Sequence, residues 1–285
     1  MLTWLEPGLY YLDYGPMQMT ISAFCRQQPL DQDIMEAVGY AKNLLAELAS
    51  CIKVAKLPAG TIKRCPTSPA ILAMMIDAVQ RCPDPTLTPM AAVAGAIADC
   101  VAELLVQRGA TKVIINNGGD IALRIAEGES VKVGIAPDLN NNSVSHFIEI
   151  DSTSKVRGIA TSGLGGRGLT KGIASAAVIL SENCRIADAC ATLVANHIFS
   201  PDPEIKQVRA EELDPDTDIY GHLVTAALGK LQPKTWQQAL QNGLAQARKV
   251  LEQGLISGAI LFVGGQLAAV PEELLSRVLP ISNNN

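Results

Sequence analysis

What this chain of 285 residues lacks narrows the field first. It has no excess of positive charge: 23 Lys and Arg against 28 Asp and Glu give a formal net charge of -5 and a pI near 5.3. Nucleic-acid binding draws most of its affinity from concentrated basic side chains, so no nucleic-acid partner is expected. The densest positive run, Lys53, Lys56, Lys63 and Arg64, reads as a solvated face. The seven cysteines are scattered, odd in number and without a Cys-x-x-Cys pair, which argues against a zinc site or a disulfide framework and for reduced, mostly buried thiols. Met1 to Pro7 carries no basic start followed by a continuous apolar core, and Glu6 and Pro7 interrupt it early. No later apolar run reaches bilayer-spanning length without Gly or charge. A cytoplasmic protein with no membrane association is the expectation.

What is present is apolar and mixed in period. At 48% hydrophobic residues the chain can bury a large core, as one elaborate domain or two packed halves, with fraying expected only at the termini, as at Ser282-Asn283-Asn284-Asn285. Leu9 to Cys25 alternates as a strand pair turning at Asp13-Tyr14-Gly15-Pro16. Asp31 or Asp33 should cap a helix running to about Ala49, with Ile34, Val38, Ala41, Leu44, Leu45 and Leu48 as its stripe. Ala70 to Val79 is a second apolar helix. A proline-rich loop from Arg81 to Pro89 then leads, with Thr88 as cap, into a long helix from Met90 to Gln107 that Gly109 ends. Ala91, Ala92, Ala94, Gly95, Ala96 and Ala98 make part of this helix small-faced, which favours close packing over room for a ligand.

The most informative stretch is Asn116-Asn117-Gly118-Gly119-Asp120, between Val113-Ile114-Ile115 and Ile121-Ala122-Leu123. A turn that needs glycine, flanked by amide and carboxylate side chains, suits close backbone approach to a ligand. An antiparallel meander should follow: strands Ile121 to Ala126 and Val131 to Ala136 joined around Glu127-Gly128-Glu129, then His146 to Asp151 after the Asn140-Asn141-Asn142 loop. The glycine-rich run from Gly158 to Gly168, with Thr161, Ser162 and Arg167, suits either an anion-cradling loop or plain turns. Ala174 to Leu180 reads as a strand and Cys184 to Ile198 as a helix. On that helix Asp188 and Thr192 are four apart and share a face. Hard oxygens at this spacing suit Mg²⁺, although an acidic residue favoured by the helix dipole and a back-bonding Thr explain the pair more simply when it is taken alone. Asp202 to Tyr220 should be a surface excursion, Thr235 to Gln253 a helix, and Ala259 to Val270 a hairpin turning at Gly264-Gly265.

Taken in order, Val93-Ala94-Gly95-Ala96-Ile97-Ala98-Asp99, the Asn-Gly-Gly-Asp turn, Ala160-Thr161-Ser162-Gly163 and Ala187-Asp188-Ala189-Cys190-Ala191-Thr192 resemble the ApbE superfamily. The resemblance covers roughly Pro89 to Ala195. It implies an α+β fold of mainly antiparallel sheets with packed helices, one ApbE-like domain over 1-285 with two interlocked subdomains, a core motif region at 89-195 and a C-terminal helix and hairpin at 233-270. It further implies a Mg²⁺-dependent transferase that splits FAD and attaches FMN to a Thr of a protein acceptor. By that resemblance Asp188 and Thr192 stand at the metal-ligand positions, with a backbone carbonyl near Ala91. Asn117, Gly118, Gly119 and Asp120 would line the nucleotide cleft, and Thr161, Ser162 and Gly163 would lie beside the flavin or diphosphate. No catalytic residue is assigned, because the chain departs from the family there. Ala94-Gly95-Ala96 stands where members carry Lys-Gly-Tyr, and Leu164 to Lys171, with Arg167 and Lys171 but no histidine, replaces a His-Ile-Ile-Asp-Pro-like segment. His146 and His197 are not at the corresponding place. A divergent, cytoplasmic branch is therefore expected. Alternatives are a flavin or nucleotide binding protein without transfer and a cofactor-biosynthesis enzyme acting on another small anionic metabolite; homo-oligomerisation is left open. A doubly wound parallel sheet is disfavoured because a strand, not a helix, follows Gly118-Gly119.

Overall fold

The computed structural model describes residues 1–63, 68–139 and 143–281. Arg64 of the basic run, Cys65, the Asn140–Asn142 loop and the Ser282–Asn285 terminus lie outside the described residues. The chain is α+β and divides into two compact units, between which it passes five times: Met1–Ser130, Asp151–Ala160 and Leu180–Ala189 form the first, and Val131–Ile150, Thr161–Ile179 and Cys190–Asn285 the second.

The first unit is built on strands in the order Leu2–Glu6, Leu9–Tyr14, Met17–Cys25, Lys112–Asn117, Asp120–Ile125 and the first three residues of Gly158–Ser162. All five pairings between them are antiparallel, which excludes the doubly wound alternative. The hairpin at Gly15-Pro16 forms as the alternation requires, Tyr14 opposite Met17. Along Met17–Cys25 the residues Met17, Met19, Ile21 and Ala23 are buried and Gln18 is exposed, the period of two of a sheet covered on one face. The cover consists of helices Asp31–Ser50, on strands Leu9–Tyr14 and Met17–Cys25, and Val93–Gln107, on strands Lys112–Asn117 and Asp120–Ile125; helix Ala70–Arg81 packs on these two helices.

Four local expectations are corrected. Asp31 and Asp33 sit in the first turn of their helix, but Leu30 is at the cap position and makes no side-chain cap bond; Asp31 instead accepts the Gly8 amide at 2.9 Å. Thr88 precedes a short 3₁₀ turn, Pro89–Ala92, without a side-chain cap bond, and the α-helix begins only at Val93. That helix ends as its sequence requires: Gly109, at φ +94°, donates to Val106 and Ala110 donates to Leu105, which satisfies two orphan carbonyls. The meander is interrupted. Both edges of Asp120–Ile125 are taken, by Lys112–Asn117 and by Gly158–Ser162, so the next strand, Ser130–Ile135, has no edge to join and pairs elsewhere.

In the second unit Ser130–Ile135, His146–Asp151 and Leu279–Pro280 make a three-stranded sheet. Strands Ala176–Ser181, Gly258–Val263 and Gln266–Val270 lie side by side, and helix Pro233–Glu252 packs on the last two. The terminal hairpin turns at Gly264 and Gly265, both at positive φ, +57° and +78°. The fourth correction is at Asp202 to Tyr220, which holds a strand, Ile205–Arg209, paired with Leu223–Leu228, and a short helix, Ala210–Leu213. Polar surface strands of this kind lack the apolar alternation that announces a strand.

Among the described residues one helical stretch, Pro89–Gln107, is long and apolar enough to cross a membrane by length and composition; 56% of it is buried within the protein. Its apolar face is used against the sheet of the first unit.

Candidate functional site

Period two along Lys112–Asn117 buries Val113, Ile115 and Asn117 on the helix-covered face, so an amide stands where the pattern calls for an apolar side chain. Asn117 is 5% exposed and donates through Nδ2 to the Ala94 carbonyl at 3.2 Å, at the start of helix Val93–Gln107. Gly118 and Gly119 then form a two-residue hairpin turn at φ +71° and +109°, with Asn117 opposite Asp120. Asn116 closes the turn by accepting the Gly119 amide at 2.8 Å. The turn thus fixes Asp120 at the rim of the same helix N-terminus that Asn117 grips.

Asp188 meets that N-terminus from another part of the chain. It lies on helix Cys184–His197, is half-buried, and accepts the Gly95 amide through Oδ2 at 2.9 Å. Burial first, and then the charge of Asp120, push its carboxyl well above the usual carboxylate range, against the lowering effect of the Gly95 and Ala94 amides. The Asp120 carboxylate beside it, like burial, makes the ionised form of Asp188 costly, and a cation placed there would offset that cost. Mg²⁺ is bound by one or two protein carboxylates with water and substrate phosphate completing its octahedron. The Asp188 and Asp120 pair matches that donor set, although no group of three or more His, Cys, Asp or Glu among the described residues could hold a metal ion.

The close approach rests on glycines. A Cβ on Gly95 would lie 2.5 Å from the Cys184 carbonyl oxygen, and one on Gly158 would meet the Cys184 nitrogen and Asn183 at similarly short range. The small face of the helix therefore serves packing: Gly95, Ala96 and Ala98 are all buried.

The other residues singled out in the sequence lie further along the chain. Thr192 follows Asp188 one turn along the same helix and belongs to the second unit, as do Thr161, Ser162 and Gly163. At Gly163 a Cβ would crowd the Ala174 and Ser175 carbonyls at 2.9 Å, and Leu164 donates to Ala174, so this glycine has a packing reason of its own. His146 bonds Ser145 Oγ and lies 5.7 Å from the Phe262 ring, and His197 bonds the Leu193 carbonyl; both have structural partners.

A buried charged cluster went unread in the sequence. Asp99, 1% exposed, accepts the amides of Cys184 and Arg185 and is forked by Arg124 and Arg185, all at 3.1 Å; Arg124 also bonds Glu103 at 2.7 Å. The available signal was an acidic residue inside the apolar run Val93 to Leu105, where a lone charge would be costly unless paired.

The chain is 38% identical over 121 residues to the UPF0280 protein of Methanothrix thermoacetophila, covering 42% of this chain and 49% of that protein. It is 31% identical over 157 residues to the UPF0280 protein of Methanococcus aeolicus, covering 54% and 62%. It therefore spans about half to three fifths of the length of these curated relatives. Among solved structures, the ApbE protein of Thermotoga maritima superposes with a TM-score of 0.48 at 13% identity, covering 91% of this chain and 96% of that one. The apo flavinyl transferase ApbE of Pseudomonas stutzeri gives 0.48 at 12% identity, covering 94% and 96%. The family model described as AbpE bacteria matches residues 2–269, and the chain belongs to that family.

Proposed function

We propose that this protein is a Mg²⁺-dependent transferase of the flavin type, acting on the phosphoanhydride of FAD and passing FMN to a hydroxyl of a protein acceptor. The observation that carries the reading is the placement of Asp188. A half-buried carboxylate beside Asp120 is held by the Gly95 amide at the end of a helix that the Asn117 amide also grips. Family membership supports the reaction class.

Asp188 would hold the cation, and Asp120 would add to the field that attracts it. Bound there, Mg²⁺ would neutralise charge on the phosphoanhydride oxygens. Asn117 and the Gly118-Gly119 turn keep Asp120 and the helix start in fixed relation, so the polar groups need no reorganisation during reaction. In the transfer the acceptor oxygen would form the new bond to the FMN phosphorus, the anhydride bond would break, AMP would leave with the electron pair, and the hydroxyl proton would pass to solvent water.

The test is incubation of purified protein with FAD and Mg²⁺. AMP release that stops in Asp188→Asn is the expected result. Retained flavin binding with no AMP would favour a binding protein without transfer. That second reading is motivated by Ala94 and Ala96 standing where the family carries Lys and Tyr. No rise in melting temperature with any flavin, with or without Mg²⁺, would sink both, because a ligand of the native state must raise apparent stability.

A further inference from the structure

Helices Val93–Gln107 and Cys184–His197 cap one another. Asp99, on the first, accepts the amides of Cys184 and Arg185, the opening residues of the second, through Oδ1 and Oδ2 respectively. In return Asp188, on the second, accepts the amide of Gly95 on the first. Gly95 and Asp99 are four residues apart, as are Cys184 and Asp188, so on each helix donor and acceptor stand one turn from each other on one face. Each carboxylate meets the positive end of the other helix's dipole. Asp99 is more tightly employed than an N-cap needs, since its two oxygens also take Arg124 Nη2 and Arg185 Nη1. With four donors on two oxygens and 1% exposure, it has no freedom to turn.

A cap fixed in this way sets the height and rotation of the helix it holds. Asp188 is one turn from the clamped amides, so its direction follows from them. We propose that Asp99 is the positioning residue for Asp188: by clamping the first two amides of helix Cys184–His197 it aims the Asp188 carboxylate, and it tunes cation binding there without touching the cation. This rests on the reading of Asp188 as the cation's ligand, and the test separates the two.

The experiment is a thermal melt of the full chain titrated with MgCl₂ alone, read as the Mg²⁺ concentration giving half of the metal-induced rise in Tm. Asp99→Asn keeps the shape but removes the charge and turns an NH₂ toward donors; its midpoint is expected to rise about tenfold or more, as for other groups that orient a ligand from behind. Leu72→Ala, a core truncation on helix Ala70–Arg81, should lower the baseline Tm and leave the midpoint in place. If Asp99→Asn does not fold, Arg124→Gln loosens Asp99 while leaving both amide caps, and its midpoint should rise by a smaller factor. Asp188→Asn should abolish the metal-induced rise. If it does not, the cation reading fails. If Asp188→Asn abolishes the rise while Asp99→Asn, or Arg124→Gln in its place, leaves the midpoint within about twofold of the parent, well below the effect expected of an orienting group, the positioning role alone is overturned.

Discussion

A single methyl group tests the close approach at the centre of the first unit. In the interior of a helix, Gly→Ala ordinarily stabilises by about 0.5–1 kcal/mol, because alanine loses less backbone freedom on folding. Gly39 offers that situation on helix Asp31–Ser50: it is exposed, and a Cβ there meets nothing within 4 Å. Gly95 offers the opposite. Its Cβ would stand 2.5 Å from the Cys184 carbonyl oxygen, 2.7 Å from the carbonyl carbon and 2.9 Å from Arg185 Cα, all backbone atoms that cannot swing aside. Overpacking costs typically 1–3 kcal/mol, and an obstacle of backbone puts this site at the upper end, about 3 kcal/mol. Less the propensity gain of up to about 1 kcal/mol, the net loss is about 2 kcal/mol. At roughly 2–4 °C per kcal/mol for a body of this size, Gly95→Ala should lower Tm by about 4–8 °C, whereas Gly39→Ala should raise it by about 1–4 °C. Differential scanning calorimetry or denaturant melts on the two variants read both signs. An unchanged or higher Tm for Gly95→Ala would refute the packing argument, since helix propensity would then be the only term acting.

Three further outcomes are expected. Gly119→Ala, at φ +109° with nothing within 4 Å of the new Cβ, should cost about 1–3 kcal/mol through backbone strain alone; a cost near zero in a urea melt would mean the hairpin turn relaxes. Burial and the nearby Asp99 charge raise the Cys100 thiol to about 11, so at pH 8 only about a thousandth of it is thiolate, and iodoacetamide should label it far more slowly than an exposed thiol; mass spectrometry showing comparable rates would contradict this. The same shift sets a sign for stability. Because the folded thiol holds its proton above the unfolded value, its contribution is complete below pH 9 and is lost as pH rises toward 11, a trend Cys184 shares in direction. A pH series of urea melts that rises over this window would be inconsistent with buried neutral thiols.

Elements whose cause is local were legible in the sequence. The Gly15-Pro16 and Gly264-Gly265 turns, the helix stop at Gly109 and the strand alternation of Met17 to Cys25 each depend on residues within a few positions of one another. Expectations failed where a remote partner took over. Asp31 has the residue type and place of a cap, yet its carboxylate serves Gly8 across the fold, and helix Asp31–Ser50 starts without a side-chain cap. Ser130–Ile135 has the composition to continue a meander, but the edge it needed is filled by Gly158–Ser162, from more than twenty residues further along the chain. Edge occupancy belongs to the whole sheet, and no window along the chain carries it.

The candidate site divides in the same way. Asn117-Gly118-Gly119-Asp120 was legible because the hairpin needs those residue types in that order. Asp188 was legible only in company, since an acid near a helix start has an ordinary explanation. The reciprocal capping was not legible at all: Asp99 and Cys184 are 85 residues apart, and Gly95 and Asp188 are 93 apart. What could have pointed to it is a mismatch at each end. A carboxylate sits in an apolar helix face at Asp99, and a glycine occupies the first turn of that helix where alanine would fit its own backbone better. Each residue is unfavourable by local rules, and each becomes favourable only when the other helix is in place. The most informative positions for this site are therefore those where propensity and pattern are overruled, because a tertiary contact must outweigh the local cost they carry.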